Sequence, residues 1–137
     1  MGLIIPNEGE LELLDKMLKV ALAVDEDYVL KLYKNNYTPT ATSTSSDFTE
    51  ADFDGYSEKT LVRASWNASV TVSGKASTSY PQQTWTCGSV TNDIYGYFVM
   101  GADSGKVLWA ERFANTKTLE ENDVINLTLR FTLRSEL

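Results

Sequence analysis

The stretch VINLTLRFTL, residues 124–133, decides the fold class of this chain. Its apolar residues Leu127, Leu129, Phe131 and Leu133 alternate with asparagine, threonine and arginine. Successive side chains of a β-strand point to opposite faces, which gives such a pattern a period of two. The stretch therefore predicts a single strand, Val124–Leu133, with one buried face and one face in water.

Further short strands are predicted upstream, and turn residues such as Gly74 and Pro81 separate several of them. The predicted strands are Tyr28–Asn35, Thr60–Trp66, Ser69–Ser73, Lys75–Tyr80, Thr84–Gly88, Ile94–Gly101 and Lys106–Phe113. With the last strand they number about eight, which predicts a mainly β fold of the sandwich or jelly-roll type.

One segment, Asn7–Ala23, has the period of an α-helix, and its leucines form an apolar stripe: Leu11, Leu14, Leu18 and Leu22. Asn7 is the predicted N-cap, with Glu10 three residues later as in a capping box. We predict a single domain in which residues 1–27 form an N-terminal helical arm and residues 28–137 form the β-sandwich. The arm is expected to lie against a sheet or to reach a neighbouring subunit.

The charge of the chain argues against polyanionic partners. Of its 137 residues, 19 are acidic and 12 are basic, which gives a net charge of −7. Binding to nucleic acid or to an anionic membrane depends largely on lysine and arginine side chains. No apolar run approaches the roughly 20 residues of a membrane span, and residues 1–6 lack the basic lead-in of a signal peptide. We therefore expect neither nucleic acid nor a membrane as a partner.

The residue inventory leaves little room for catalysis. The chain contains no histidine, which removes the commonest general base, and its one cysteine, Cys87, has no histidine partner. A zinc site built from Cys and His ligands is impossible for the same reason. Glu111 lies in an aromatic-rich strand, but no second strand-borne acid completes a glycosidase pair. We predict no enzyme, no cofactor, no metal and no catalytic residue.

Three further motifs are interpreted structurally. The loop 47–56 carries Asp47, Glu50, Asp52 and Asp54 without the spacing of a calcium-binding loop, and its aromatic residues are expected to pin it onto the domain. The stretch Gly101–Lys106 lacks the P-loop spacing and is predicted to be a hairpin turn. The strand-borne aromatics could form a sugar platform, but we favour a core or interface role for them. They are Trp66, Trp85, Trp109, Tyr95 and Tyr97.

Three parts of the sequence carry a resemblance to known proteins. They are Leu3–Glu10 (LIIPNEGE) before the leucine-rich helix, Tyr80–Gly88 (YPQQTWTCG), and Ile94–Phe113 (IYGYFVMGADSGKVLWAERF) followed by Leu119–Phe131 (LEENDVINLTLRF). In the third part a hairpin ends in a Leu-Trp strand, and an Asn-Asp turn leads into the last alternating strand. Together with the leucine-rich helix these parts cover about half of the chain, and they resemble small virion structural proteins of tailed bacteriophages with a jelly-roll signature.

The resemblance implies a β-sandwich virion component, assembled in the host cytoplasm, that carries no catalytic residues. We expect a head decoration (cement) protein that binds the major capsid protein or other virion proteins and forms homo-oligomers. A tail, baseplate or fibre component is the first alternative, and a carbohydrate-binding module is the second. The predicted interface residues are Leu3, Ile4, Ile5, Leu11, Leu14, Leu18, Leu22, Phe48, Phe53 and Tyr56.

Overall fold

The structure is a computed structural model that describes residues 2–18 and 26–133. Within these residues the chain has one helix and nine strands, which confirms the mainly β prediction. The helix α1 spans Asn7–Leu18. The strands are β1 (Tyr28–Tyr33), β2 (Lys59–Leu61), β3 (Val70–Val72), β4 (Lys75–Ser79), β5 (Gln83–Thr86), β6 (Asp93–Gly101), β7 (Val107–Thr118), β8 (Val124–Leu127) and β9 (Arg130–Leu133).

The strands form three antiparallel sheets. The largest has four strands in the order β2-β1-β6-β7, the second has the order β3-β4-β9, and β5 pairs with β8 in the third. Strands distant in sequence are neighbours, as where Tyr28 of β1 lies opposite Gly101 of β6. The last two described strands belong to different small sheets, because β8 pairs with β5 and β9 pairs with β4.

The stretch that predicts one last strand is divided into two. The chain pairs with β5 up to Leu127 and with β4 from Arg130 onward. The alternation itself holds across the division, since Leu129 is buried while Thr128 and Arg130 are exposed. The predicted single strand Val124–Leu133 is therefore wrong in extent, because the chain changes its partner sheet midway.

The predicted strand Thr60–Trp66 is also too long. β2 ends at Leu61, and a 3-10 turn, Arg63–Ser65, follows it. The Tyr80 hydroxyl accepts the Val62 N–H at 3.0 Å, and Asp27 Oδ1 accepts the Arg63 N–H at 3.1 Å. Side-chain acceptors satisfy these amides in place of a neighbouring strand, so the chain leaves the sheet here.

The main core joins the sheets to one another. It contains Leu30 of β1, Val99 of β6 and Leu108 of β7, together with Trp85 of β5 and Ile125 of β8. Full burial of an aliphatic or aromatic side chain of this size contributes about 1.5–3 kcal/mol. The apolar faces of the strands thus provide the main force that holds the four-stranded and two-stranded sheets together.

The long loop between β1 and β2 supplies aromatic side chains to two separate clusters of buried residues. The Phe48 ring stacks on Phe98 of β6 at 4.5 Å between centroids and meets the edge of Tyr33 at 5.0 Å. Phe53 is buried in the main core. These contacts confirm the prediction that aromatic residues pin the loop onto the domain.

Candidate protein-binding surface

The helix α1 docks on the sheet through its charged side and not through the leucine stripe Leu11, Leu14 and Leu18. Glu8 and Glu12, four residues apart, lie on the same side of the helix. Glu8 Oε1 accepts the N–H of Val107 at 2.8 Å, and Glu12 Oε1 lies 3.0 Å from Lys106 Nζ. The other Glu12 oxygen has no hydrogen bond and lies 3.8 Å from Lys16 Nζ, in an ion pair. The polar side of the helix therefore binds to polar groups at the start of β7.

A second carboxylate, that of Glu26, fills the turn between β6 and β7. One of its oxygens accepts the N–H groups of Asp103 and Ser104 at 2.7 and 2.8 Å, and the other accepts the Ser104 hydroxyl at 2.7 Å. Lys16 Nζ lies 3.9 Å from the same carboxylate. Burial opposes its charge, but these hydrogen bonds and the Lys16 ammonium hold the pKa of Glu26 below its usual value. The predicted hairpin turn is confirmed.

Close backbone approach supplements these polar contacts. A Cβ added at Gly9 would overlap the carbonyl oxygen of Leu108 and lie 2.6 Å from that of Val107. Upstream of the helix, Ile4 pairs with Ala110 through two backbone hydrogen bonds of 2.8 and 2.9 Å. The absence of a side chain at Gly9 therefore lets the helix rest directly on β7.

Adding a methyl group at Gly9 tests this docking. We expect Gly9→Ala to lower the free energy of unfolding by about 1–2 kcal/mol, because the overlap with β7 outweighs the gain of about 1 kcal/mol in helix propensity. Hydrogen exchange at the Val107 amide should accelerate as its bond to Glu8 is lost. Gly2→Ala is the matched control, since nothing lies within 4 Å of a Cβ added there. Unchanged exchange at Val107 in Gly9→Ala would contradict the docking.

The apolar stripe of the helix faces away from the sheet as a consequence. Leu11, Leu14 and Leu18 are 62%, 50% and 70% exposed. Leu13, by contrast, packs against the main core. A soluble domain normally buries the leucine stripe of an amphipathic helix, so this inverted arrangement marks a candidate binding surface.

The leucine stripe continues into an apolar groove of about 600 Å³. The groove lies between the helix, the start of β1 and β9, and its residues are Glu10, Leu13, Leu14, Lys16, Tyr28, Arg63, Phe131 and Leu133. Leu133 at its far side is 59% exposed. We call the exposed helix residues Leu11, Leu14 and Leu18 together with this groove the leucine surface.

The structure separates the predicted interface residues into groups. Leu11, Leu14 and Leu18 lie on the leucine surface, whereas Leu22 lies outside the described residues, as do residues 19–23 of the predicted helix. The others belong to the body of the domain: Leu3, Ile5 and Tyr56 pack against the main core, Ile4 pairs with β7, and Phe48 and Phe53 are buried. The helix, and not the acidic loop, therefore carries the exposed apolar side chains of the predicted set.

The cap of the helix differs from the prediction. Asn7 is already helical, and its N–H donates to the carbonyl of Ala41 at 2.8 Å. The Glu10 N–H donates to the Pro6 carbonyl at 3.0 Å, which is the first intrahelical hydrogen bond and makes Pro6 the N-cap. The loop at Ala41 thus satisfies the amide of Asn7, and the predicted N-cap position is wrong by one residue.

The four acids of residues 47–56, in the loop between β1 and β2, have different partners. Glu50 pairs with Lys31 at 3.1 Å, and Asp52 pairs with Lys34 at 2.7 Å. Asp47 accepts the N–H of Thr44 at 2.8 Å, and Asp54 accepts the N–H of Ser89 at 3.3 Å. The carboxylates therefore act as local braces, and no group of three or more acidic, histidine or cysteine side chains among the described residues could hold a metal ion.

The aromatic residues that could form a sugar platform lie mostly inside the protein. Trp85, Trp109 and Tyr97 are buried, and the half-buried Trp66 meets Trp109 edge-on at 6.0 Å. Tyr95 is half-buried beneath Arg112, whose guanidinium lies 5.3 Å from the ring centroid. These placements agree with the core role that the sequence favours.

The two remaining candidates for a chemical role are Cys87 and Glu111, and both lie within the folded body of the domain. Cys87 is buried, and burial together with the charges of Asp123 and Asp54 raises the pKa of its thiol, which keeps it protonated. Glu111 lies opposite Tyr97 across the β6–β7 ladder. Burial, and then the charge of Glu111, raises the pKa of Tyr97.

Comparison with known proteins does not assign a family to this surface. The sequence matches no protein-family model and no curated protein at a significant level. Within the two described ranges, no helix has both the length and the apolar character needed to cross a bilayer.

The residues that dock the charged side of the helix on the sheet were not predicted from the sequence. The charged series Glu8, Glu12 and Lys16 has the same helical spacing as the leucines, and Gly9 is an unfavourable residue for a helix. These two signals mark a second special face. The sequence signals do not reveal what this face binds. Its partners are Lys106, the Val107 amide and two backbone carbonyls of β7.

Proposed function

We propose that this protein is a virion structural protein of a tailed bacteriophage, with a jelly-roll-type β-sandwich fold, that decorates the head by protein–protein contact. The resemblance in Leu3–Glu10, Tyr80–Gly88 and the C-terminal third supports the virion role. The leucine surface supports the mode of action, and it is the observation that carries the proposal. Its partner is the major capsid protein or another virion protein.

The attachment of the helix makes the surface suitable for a durable contact. Three leucines stay exposed because the polar side of the helix is held by Lys106 and by backbone groups of β7. A partner can therefore bury apolar side chains without first pulling the helix off the domain. Such preorganisation lowers the entropy cost of binding.

A binding experiment with the virion tests the proposal. The purified protein is mixed with heads and, separately, with tails of the phage that encodes it, and co-sedimentation is measured. We expect binding to heads, and Leu14→Glu combined with Leu18→Glu should weaken it at least about a hundredfold. Each buried leucine contributes about 1.5–3 kcal/mol, and 1.4 kcal/mol is tenfold in affinity.

The matched control is the double variant Val90→Glu and Val124→Glu, at residues that are 58% and 52% exposed away from the helix. It should bind as the wild type does, and both double variants should keep the wild-type melting temperature. Binding to tails alone would favour the tail alternative. Equal binding by the leucine variant and the wild type would refute the role of the leucine surface.

A further inference from the structure

A second surface lies on the hairpin formed by β3 and β4, apart from the leucine surface. Residues 67–76 are all exposed, including Val70 and Val72, which are 54% and 47% exposed. In a strand, Val70 and Val72 share one face and Thr71 occupies the other. Since neither face of β3 is covered, the hairpin projects from the body of the domain.

The outer edge of β3 carries unpaired backbone groups. Ser73 and Gly74 have φ values of 51° and 75°, as in a two-residue type I′ turn, and Val72 lies opposite Lys75 at its base. The pair that flanks such a turn exchanges hydrogen bonds, so the next pair, Thr71 with Ala76, does not. The N–H and C=O of Thr71 therefore point away from β4, and no described strand pairs with β3 on that side.

This edge lacks the usual protection against strand pairing. Natural edge strands are commonly guarded by a charged residue, a proline or a bulge. The sequence around β3, Ser69–Ser73 (SVTVS), has none of these and is rich in β-branched residues. Charge repulsion between two copies is also reduced here, because no Asp or Glu occurs between Glu58 and Asp93 in a chain with a net charge of −7. Two copies that meet through this hairpin keep their acidic regions apart.

We infer that β3 pairs antiparallel with β3 of a second copy, around a twofold axis that passes beside Thr71. Each Thr71 then donates its N–H to the carbonyl of the other Thr71, which satisfies both outward-pointing groups. Val70 of one copy lies opposite Val72 of the other, and the four valines share one face. The pairing is self-complementary, as a twofold interface requires, and it joins the sheets β3-β4-β9 of the two copies into one six-stranded sheet. This inference does not depend on the proposed virion role.

The test compares two substitutions at Thr71 that differ in the backbone N–H. Molar mass is measured by light scattering and sedimentation from micromolar to near-millimolar protein concentration. We expect a concentration-dependent dimer for the wild type and for Thr71→Val. Thr71→Pro removes the outward N–H but no bond to β4, so it should remain monomeric, with the melting temperature that the wild type has when it is dilute and monomeric.

Thr71→Lys is a second disruptive variant, which places a guarding charge on the edge and keeps the backbone intact. It should also be monomeric, whereas Leu14→Glu combined with Leu18→Glu should still dimerise. A wild type that stays monomeric at every concentration would overturn the inference. A dimer that survives both Thr71→Pro and Thr71→Lys, or one that the leucine variant abolishes, would overturn it as well.

Discussion

Trp85→Ala is expected to lower the free energy of unfolding by about 3–5 kcal/mol, the range for removal of a buried aromatic side chain. Trp85 is 2% exposed and lies where β5 meets the main core. Its Nε1 donates to the carbonyl of Ser57 at 2.7 Å, Tyr56 stacks on its ring, and Lys59 Nζ lies 5.3 Å from the ring centroid. The substitution therefore leaves a cavity and an unpaired carbonyl together.

Trp85→Phe separates these two effects. It keeps an aromatic ring but removes the hydrogen bond to Ser57, so a smaller loss than that of Trp85→Ala is expected, with about 1 kcal/mol from the hydrogen bond. Urea unfolding followed by far-ultraviolet circular dichroism measures both variants. A loss below about 1 kcal/mol for Trp85→Ala would show that β5 is not anchored by this side chain.

Glu26→Ala has the second largest expected effect, a loss of about 3 kcal/mol at neutral pH. The alanine leaves the N–H groups of Asp103 and Ser104 and the Ser104 hydroxyl without their acceptor, and hydrogen bonds to a charged group contribute about 1.5–3 kcal/mol each. Water reaches part of the emptied turn, since Asp103 is exposed and Ser104 is half-buried, so the sum is not fully lost. Glu121→Ala, at an exposed position, is the control and should change stability by less than about 0.5 kcal/mol.

The stability that Glu26 contributes should depend on pH, and the lowered pKa of Glu26 fixes the sign of this dependence. The pKa of Glu26 is lower in the folded state than in the unfolded chain, so the unfolded state binds its proton first as the pH falls. The contribution of Glu26 is therefore complete above its unfolded pKa of about 4.3 and is lost as the pH falls through the lower folded value. The difference in unfolding free energy between wild type and Glu26→Ala should shrink in acid. A difference that stays constant from neutral pH into strong acid would exclude the proposed carboxylate contacts.

The existence of the elements could be predicted from local sequence, but their partners could not. Periodicity located the helix at Asn7 and most of the strands, because each pattern depends on residues close together in the chain. The division of the last strand depends instead on a contact far away in sequence, where the Tyr80 N–H donates to the carbonyl of Leu129 at 3.0 Å. Alternation of apolar and polar residues predicts that one face of a strand is buried. It does not predict which sheet covers that face.

The candidate site shows the same limit more sharply. Leu11, Leu14 and Leu18 form one apolar face of α1, as their spacing predicts, and the contact of this face with a partner remains a prediction. The docking of the opposite face depends on Lys106, 94 residues after Glu12, and on the Val107 amide, 99 residues after Glu8. An amphipathic pattern defines two faces, and the surroundings decide which of them packs inward.

The attachment of the helix to β7 also determines which part of the protein would unfold first under mechanical force. A partner that pulls on Leu11 and Leu14 transmits the force to β7 through a few short polar contacts and the packing of Leu13, whereas β7 itself is bonded to β6 along most of its twelve residues. The helix should therefore detach as a unit before the sheet opens. Reversible detachment of the helix would let the protein extend under force while its β-sheets stay folded.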